Sequence, residues 1–296
     1  MCHSARSWIV LLSLLAGARL AEAAESGERG EPAPFPGPLL LRVETELFRD
    51  SADQPVARSL TLFDDGVAWD FLELPAADDG EEAVMQLVEI VLHDPARERV
   101  VVIDPVRRLK TEIPLIRLER MSVSLAKWAR SSDDRLVRWA GGPDFAGNFE
   151  EDAESLALSG PRVRYSVRLA AAESPEAAGT YRQFADTAIL LKALLHPGGI
   201  PPFPRLALNR RLEAAAAIPA EVTLEIDPKL AMVAGGAARL RSVHKSHPRL
   251  LAADRRLIAD AQAHVAGADA VDLAAFAAPP VAPEVAPQAD GAQSDE

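Results

Sequence analysis

Cysteine is nearly absent from this 296-residue sequence, because the one thiol belongs to Cys2 at its start. If the first residues are removed, no disulfide can form, and no cysteine nucleophile, cysteine-ligated zinc or iron–sulfur site is possible. The folded part must therefore be stabilised by its apolar core alone, which its length allows for one large domain or two small ones.

Basic residues are outnumbered: 32 Lys and Arg stand against 44 Asp and Glu, which gives a formal net charge of −12. The basic residues form no run. An acidic chain of this kind argues against nucleic acid and against anionic membrane surfaces as partners. We therefore expect no nucleic-acid partner.

The first 24 residues have the layout of a secretory signal peptide. A basic residue, Arg6, precedes the apolar run Trp8–Ala16, and Ala21-Glu22-Ala23 satisfies the A-x-A cleavage rule. The run is too short to span a bilayer by itself. We expect export to the periplasm or the cell envelope, with no integral membrane span in the mature chain. Retention of residues 1–24 as an anchor is the alternative.

Two further segments have the composition of unfolded chain. Residues 25–38 are charged and rich in Pro and Gly, which predicts a flexible linker. Residues 277–296 are rich in Pro, Ala and acidic residues, which predicts a disordered tail. Between them, residues 39–276 are expected to fold as a single α+β domain.

Strands are predicted where apolar and polar residues alternate, as in 39–47, 162–169 and 221–226. Two Asp-Pro-x-Arg sequences, at 94–97 and 104–107, favour type I turns in which the Asp side chain caps the following amides. These turns predict a meander of three strands at 85–93, 98–103 and 107–113. His93, beside the first turn, is expected to be exposed.

Amphipathic helices are predicted in three places by apolar residues at steps of three and four. The first starts at Pro114 and can continue through Trp139, the second follows Ser174-Pro175, and the third covers 257–265; a short fourth is possible at 204–216. With eight to ten strands, the pattern predicts a curved antiparallel sheet, or half-barrel, with the helices packed on its concave face.

The order of these elements resembles the half-barrel envelope proteins of the lipoprotein-sorting-carrier type, LolA and LolB. The resemblance is carried by the leader, the first strand LLLRVETELF, the meander VEIVLHDPARERVVVIDPVRRLKTEI and the strand IPAEVTLE after a helix. It covers 39–247 and rests on topology and turn placement. It implies an apolar cavity that opens by helix movement, and hence binding of a lipid or lipidated polypeptide.

The candidate lining of such a cavity is the apolar stripe of the first two helices: Leu118, Met121, Leu125, Trp128, Tyr181, Phe184, Ala188 and Leu191. Each buried CH₂ of a ligand would contribute about 0.8 kcal/mol. The same pattern also describes an ordinary packed core, which is the more common role of large aromatic residues on helix stripes.

No sequence motif points to catalysis or to a cofactor. G-x-S-x-G, a phosphate-binding glycine loop and a dinucleotide fingerprint are all absent. His244 and His247 form H-x-x-H, but on a strand these positions point to opposite faces, which disfavours a metal site. We expect a non-enzymatic binding protein without cofactor or metal. An interaction or scaffold module without a small ligand is the alternative, and a hydrolase with an unrecognised site ranks third.

Overall fold

The computed structural model describes residues 40–76, 84–143, 148–197, 199–227 and 238–278. The strands are β1 (Leu41–Arg49), β2 (Ala57–Asp64), β3 (Val67–Pro75), β4 (Met85–Asp94), β5 (Arg99–Asp104), β6 (Leu109–Pro114), β7 (Phe149–Glu151), β8 (Ser155–Gly160), β9 (Val163–Ala171), β10 (Ala217–Ile226), β11 (Arg239–His247) and β12 (Asp269–Ala270). The helices are α1 (Leu115–Arg130), α2 (Arg135–Ala140), α3 (Pro175–Leu195), α4 (Phe203–Ala214), α5 (Ala252–Gly267) and α6 (Leu273–Ala277). The predicted signal peptide and linker, and the predicted tail after residue 278, lie outside the described residues.

The twelve strands of the described residues belong to one open sheet, in the order β12-β6-β5-β4-β3-β2-β1-β11-β10-β9-β8-β7. Neighbouring strands are antiparallel, except that the two-residue strand β12 pairs parallel with β6. β1 pairs with β11, so segments far apart in the sequence meet near the middle of the sheet. The α+β class is confirmed, in a mixed sheet that is larger than expected.

The two Asp-Pro turns have the predicted role. Asp94 Oδ1 accepts a hydrogen bond from the backbone N–H of Arg97 at 3.2 Å, and Asp104 Oδ1 accepts one from that of Arg107 at 2.8 Å. The turns join β4 to β5 and β5 to β6. Burial would raise the pKa of Asp94, but hydrogen bonds from Arg97 and the charges of Arg97 and Arg99 hold it below its ordinary value.

The first predicted helix is divided in two. α2 starts after a break because the Asp134 carboxylate accepts hydrogen bonds from two backbone N–H groups in its first turn. α3 starts as predicted, with Ser174 Oγ accepting a hydrogen bond from the Ala177 N–H at 3.2 Å. None of the described helices combines the length and the apolar composition that crossing a membrane requires.

Successive residues of a strand point to opposite faces of the sheet. We call the face that carries Val43, Phe63 and Val102 the inner face; side chains of α1, α2, α3 and α4 pack on it. The opposite, outer face carries Leu62 and Val101. The inner face is thus the more extensively covered side.

The position of α5 corrects the expectation that the amphipathic helices share one face. Ile258 and Ala261 of α5 pack on the outer face of β2 to β5. Asp254 in its first turn accepts a hydrogen bond from Arg42 Nε of β1 at 3.2 Å, which ties the helix to the sheet. β5 is therefore covered on both sides, and the burial of all of Val100–Ile103 explains why this strand lacks polar alternation.

His93 is buried, which corrects the expectation that it would be exposed. Its side chain is 4% exposed, its ring lies 6.2 Å from that of Phe184, and its Nε2 has no hydrogen-bond partner in the described part of the chain. The side chain points from β4 toward α3. Burial lowers the pKa of His93 to about 4, although the charge of Asp94 acts in the opposite direction. The ring is therefore neutral at pH 7.

We predict that His93 makes the protein less stable as the pH falls from 6.5 to 4. In that interval the unfolded chain binds a proton at this ring and the folded chain does not, so unfolding takes up a proton. The free energy of unfolding, measured by urea titration across this range, should fall about 1.4 kcal/mol per pH unit more steeply in the wild type than in His93→Gln. Parallel pH profiles of the two proteins would contradict this assignment.

Candidate ligand-binding site between the helices and the sheet

The predicted apolar lining does not form one continuous surface. Leu118 and Leu191 pack against inner-face residues of β4 to β6, whereas Tyr181, Phe184 and Ala188 pack around Phe63 of β2. The remaining three residues belong to α1: Met121 and Leu125 are half-buried, and Trp128 is 56% exposed.

Little space remains beside the members of this lining that face the sheet. Phe184, Ala188 and Leu191 border a cavity of about 10 Å³. A second cavity of about 30 Å³ lies near Phe184 and Phe63. Such volumes hold a single water at most. An acyl chain could enter here only if α3 moved away from the sheet.

A belt of polar side chains crosses the inner face through neighbouring strands. The Thr61 hydroxyl of β2 donates to Asp70 Oδ1 of β3 at 2.7 Å. Thr45 of β1 lies 3.1 Å from Nδ1 of His244 on β11, and Nε2 of the same ring lies 3.0 Å from the Ser242 hydroxyl. The belt therefore runs from β3 to β11, in the middle of a face that is otherwise apolar.

Charged residues of the covering helices are also buried or half-buried against the inner face. Arg205 of α4 is 5% exposed. On α3, Asp186 accepts hydrogen bonds from Asn209 Nδ2 at 2.8 Å and from Arg182 at 3.0 Å, so its carboxylate already has partners. Lys192 of α3 forms an ion pair with Glu89 of β4.

Arg205 differs from these groups because the hydrogen-bonding capacity of its guanidinium is only partly used. Its Nε and Nη1 are buried without a hydrogen-bond partner, and it joins no ion pair in the part of the chain that the structure describes. Tyr181 and Asp186 of α3 are close enough to favour its charge, yet burial has the larger effect and lowers the pKa of Arg205. A buried charge without a partner lowers the free energy of unfolding by several kcal/mol.

The groups around Arg205 are shifted toward their neutral forms. Burial lowers the pKa of His244 to about 3, and the charge of Arg205 acts in the same direction. Burial raises the pKa of Tyr181 to about 12 and that of Asp70 above its ordinary value, against the hydrogen bond from Thr61. The shifted groups cluster in one region, as they do at functional sites.

We refer to this region as the buried polar cluster. Its members Thr61, Tyr165, Tyr181, Arg205 and Ser242 are buried, and Thr45, Asp70 and His244 are half-buried. They come from β1, β2, β3, β9 and β11 of the sheet and from α3 and α4. The hydroxyl groups of Thr45, Thr61 and Ser242 already have partners within the cluster, so the Arg205 guanidinium is the group that offers hydrogen-bond donors to an anionic group.

A second concave site lies on the outer face, where α5 leaves part of the sheet uncovered. This groove has a volume of about 340 Å³. Its apolar floor and side are formed by Leu60, Phe71, Leu87, Val243 and Leu257. Its rim carries charges that are largely paired, including Arg58 with Glu46 at 3.2 Å and Arg42 with Glu44 at 2.6 Å.

The sequence carried a signal for the members of the buried polar cluster that lie on the strands, but not for those on the helices. Thr45 occupies a position on the apolar side of the alternating strand 39–47, and Asp70 stands between Trp69 and Phe71. A polar residue at an apolar position indicates a polar contact inside the fold. Arg205, by contrast, lies in a helix where arginine ordinarily points to solvent.

No family model matches this chain, and no curated protein matches it either. The candidate site therefore depends on the burial, hydrogen bonds and charges of this chain itself.

We predict that Phe184 is a core residue whose truncation unfolds the protein more easily. Phe184 packs edge-on against Phe63, with ring centroids 5.4 Å apart, so Phe184→Ala should lower the free energy of unfolding by about 3–5 kcal/mol. The matched control is Trp128→Ala at an exposed position of the same predicted lining, which should change it by less than about 0.5 kcal/mol. Urea unfolding measures both. Equal, small effects would instead indicate that Phe184 lines an open space.

Proposed function

We propose that this chain is an exported, non-enzymatic binding protein of the cell envelope that holds a lipid or lipidated polypeptide against the inner face of its sheet. The observation that carries the proposal is Arg205, whose buried guanidinium has two nitrogens without a partner. The signal-peptide layout of residues 1–24 supports export. The element order supports a carrier of the LolA and LolB type, in which the sheet curves and the inner face is concave.

An anionic head group suits the position of Arg205. A carboxylate or phosphate can accept two parallel hydrogen bonds from a guanidinium, and the pair is strongest where water is excluded. Arg205 also lies in the first turn of α4, where the helix dipole is positive and a bound anion is stabilised. A ligand of this charge would offset the desolvation of Arg205.

An apolar tail suits the surroundings of the buried polar cluster. Leu208 and Leu212 of α4 pack on the inner face on one side of it, and Phe63 and Phe184 lie on the other side. Each CH₂ of a chain that enters between these groups contributes about 0.8 kcal/mol. Since the existing cavities are small, binding requires α3 or α4 to move outward, as in the helix movement that the family resemblance implies.

We predict that Arg205→Met stabilises the unliganded protein and weakens ligand binding. Methionine has a similar volume without the charge, so the free energy of unfolding should rise by about 1–4 kcal/mol. Affinity for a fluorescent fatty acid should fall about 30-fold or more, because the carboxylate loses its partner. Urea unfolding and fluorescence titration measure the two effects.

Two controls isolate the contribution of the buried charge. Arg249→Met removes an exposed arginine and should leave both quantities unchanged. The methyl ester of the same fatty acid lacks the negative charge and should bind the wild type as weakly as the acid binds Arg205→Met. Equal binding of acid and ester by the wild type would overturn the role of Arg205.

The groove on the outer face provides the second candidate function, an interaction module that takes a segment of polypeptide. Its volume of about 340 Å³ and its apolar floor with a charged rim favour this reading. Leu257→Arg introduces a charge at the α5 side of the groove without touching the inner face. Loss of fatty-acid binding in Leu257→Arg, with binding retained in Arg205→Met, would place the ligand in the groove. Native mass spectrometry showing no bound lipid in the wild type would favour the interaction module.

A further inference from the structure

Exposed apolar side chains are concentrated on α1. Among the described residues, six large apolar side chains are exposed, and three of them lie on this helix: Ile116 at 50%, Val123 at 49% and Trp128 at 56%. The other three are dispersed over separate turns and element ends: Val84, Val106 and Leu251. Single exposed apolar residues are common. On α1, Ile116 and Val123 lie on one flank of the exposed side and Trp128 lies on the other.

Basic side chains occupy the same surface of α1. At 100° per residue, the buried residues Leu118 and Ala129 lie on one side of the helix, and Arg120 and Lys127 lie on the other. Arg117 is also exposed. These three basic side chains form no ion pair within the described ranges, and Glu119 is the one acidic residue of the helix.

We refer to this patch as the α1 solvent surface; its members are Ile116, Arg117, Arg120, Val123, Lys127 and Trp128. It carries a charge of +3 on a chain whose formal net charge is −12. The net charge alone argued against anionic membrane surfaces, but these three basic residues lie together on one exposed side of α1. The molecule therefore has one side on which a negatively charged partner is attracted.

We propose that the α1 solvent surface docks on an anionic lipid bilayer, with α1 lying parallel to the membrane plane. Basic residues beside exposed aliphatic and tryptophan side chains are the composition of helices that bind at the lipid–water interface. Trp128 presents an indole, which is favourable at the depth of the lipid head groups. This proposal does not depend on the ligand assigned to the buried polar cluster.

A bilayer fits this surface better than an acidic polypeptide does. A helix exterior offers no groove and no unpaired strand edge on which a peptide could be held. Around the helix, Arg120 and Lys127 lie between Val123 on one side and Trp128 on the other, so basic and apolar contacts form together when the helix settles into the head-group region.

The test compares two triple variants of the full chain in co-sedimentation with vesicles of phosphatidylglycerol and phosphatidylcholine. Arg117→Gln, Arg120→Gln and Lys127→Gln remove three charges from the α1 solvent surface. Arg249→Gln, Arg255→Gln and Arg256→Gln remove three exposed charges in α5 and in the turn before it, on the opposite side of the sheet. Both variants keep the apolar run Trp8–Ala16, so their difference reports α1.

The α1 variant should bind anionic vesicles about 100-fold more weakly than the wild type, a factor of about 5 for each basic side chain. The α5 variant should bind as the wild type does, and added salt should weaken wild-type binding. Trp128 emission, taken as the difference from Trp128→Phe, should shift to shorter wavelength on binding. All six charge positions are exposed, so thermal unfolding should be unchanged in both variants.

Three results would overturn the proposal. The first is equal loss of binding in the two triple variants, or equal binding of the wild type to vesicles with and without phosphatidylglycerol. The second is binding to a polyglutamate peptide but not to vesicles, which would assign the surface to an acidic polypeptide. The third is vesicle binding that appears only when Glu284, Asp290, Asp295 and Glu296 are replaced by neutral residues. That result would mean that the acidic end of this chain binds the α1 solvent surface.

Discussion

Two nitrogens of the Arg205 guanidinium are buried between α4 and the sheet without a hydrogen-bond partner, and this constraint accounts for the polar groups beside it. An uncompensated charge destabilises a core unless polar groups surround it or a ligand completes it. The polar belt supplies neutral hydroxyl and imidazole groups, and the acidic groups nearby are already engaged, as in the Asp186–Arg182 pair at 3.0 Å. Within the buried polar cluster, the atoms that are buried without a hydrogen-bond partner are Nε and Nη1 of Arg205.

Double coverage of the sheet shapes the rest of the molecule. α1 to α4 pack on the inner face, and α5 covers part of the outer face, so β5 is buried on both sides. The uncovered remainder of the outer face becomes the groove beside Leu257. α1 and α3 are adjacent, because Ala126 of α1 and Ile189 of α3 share one apolar cluster. The proposed ligand beneath α3 and α4 and the proposed membrane against α1 would therefore act on neighbouring helices.

Local signals predicted much of the fold. The Asp-Pro turns at Asp94 and Asp104, the helix start at Ser174 and the alternating strands depend on neighbours in sequence, and the structure has them where they were expected. The outer-face position of α5 depends on long-range contacts that no local pattern contains: the packing of Ile258 on the sheet and the bond between Arg42 and Asp254. His93 was placed wrongly for the same reason, because the residue that buries it, Phe184, comes from α3.

The central claim is tested most directly by the ionisation of the ligand itself. A fatty acid labelled with ¹³C at its carboxyl carbon reports its own pKa by NMR while bound. If the carboxylate lies against Arg205, the pKa of the bound acid should be well below that of the free acid, because the guanidinium favours the charged form. A bound pKa equal to or above that of the free acid would contradict the account, since it would place the head group away from a buried cation.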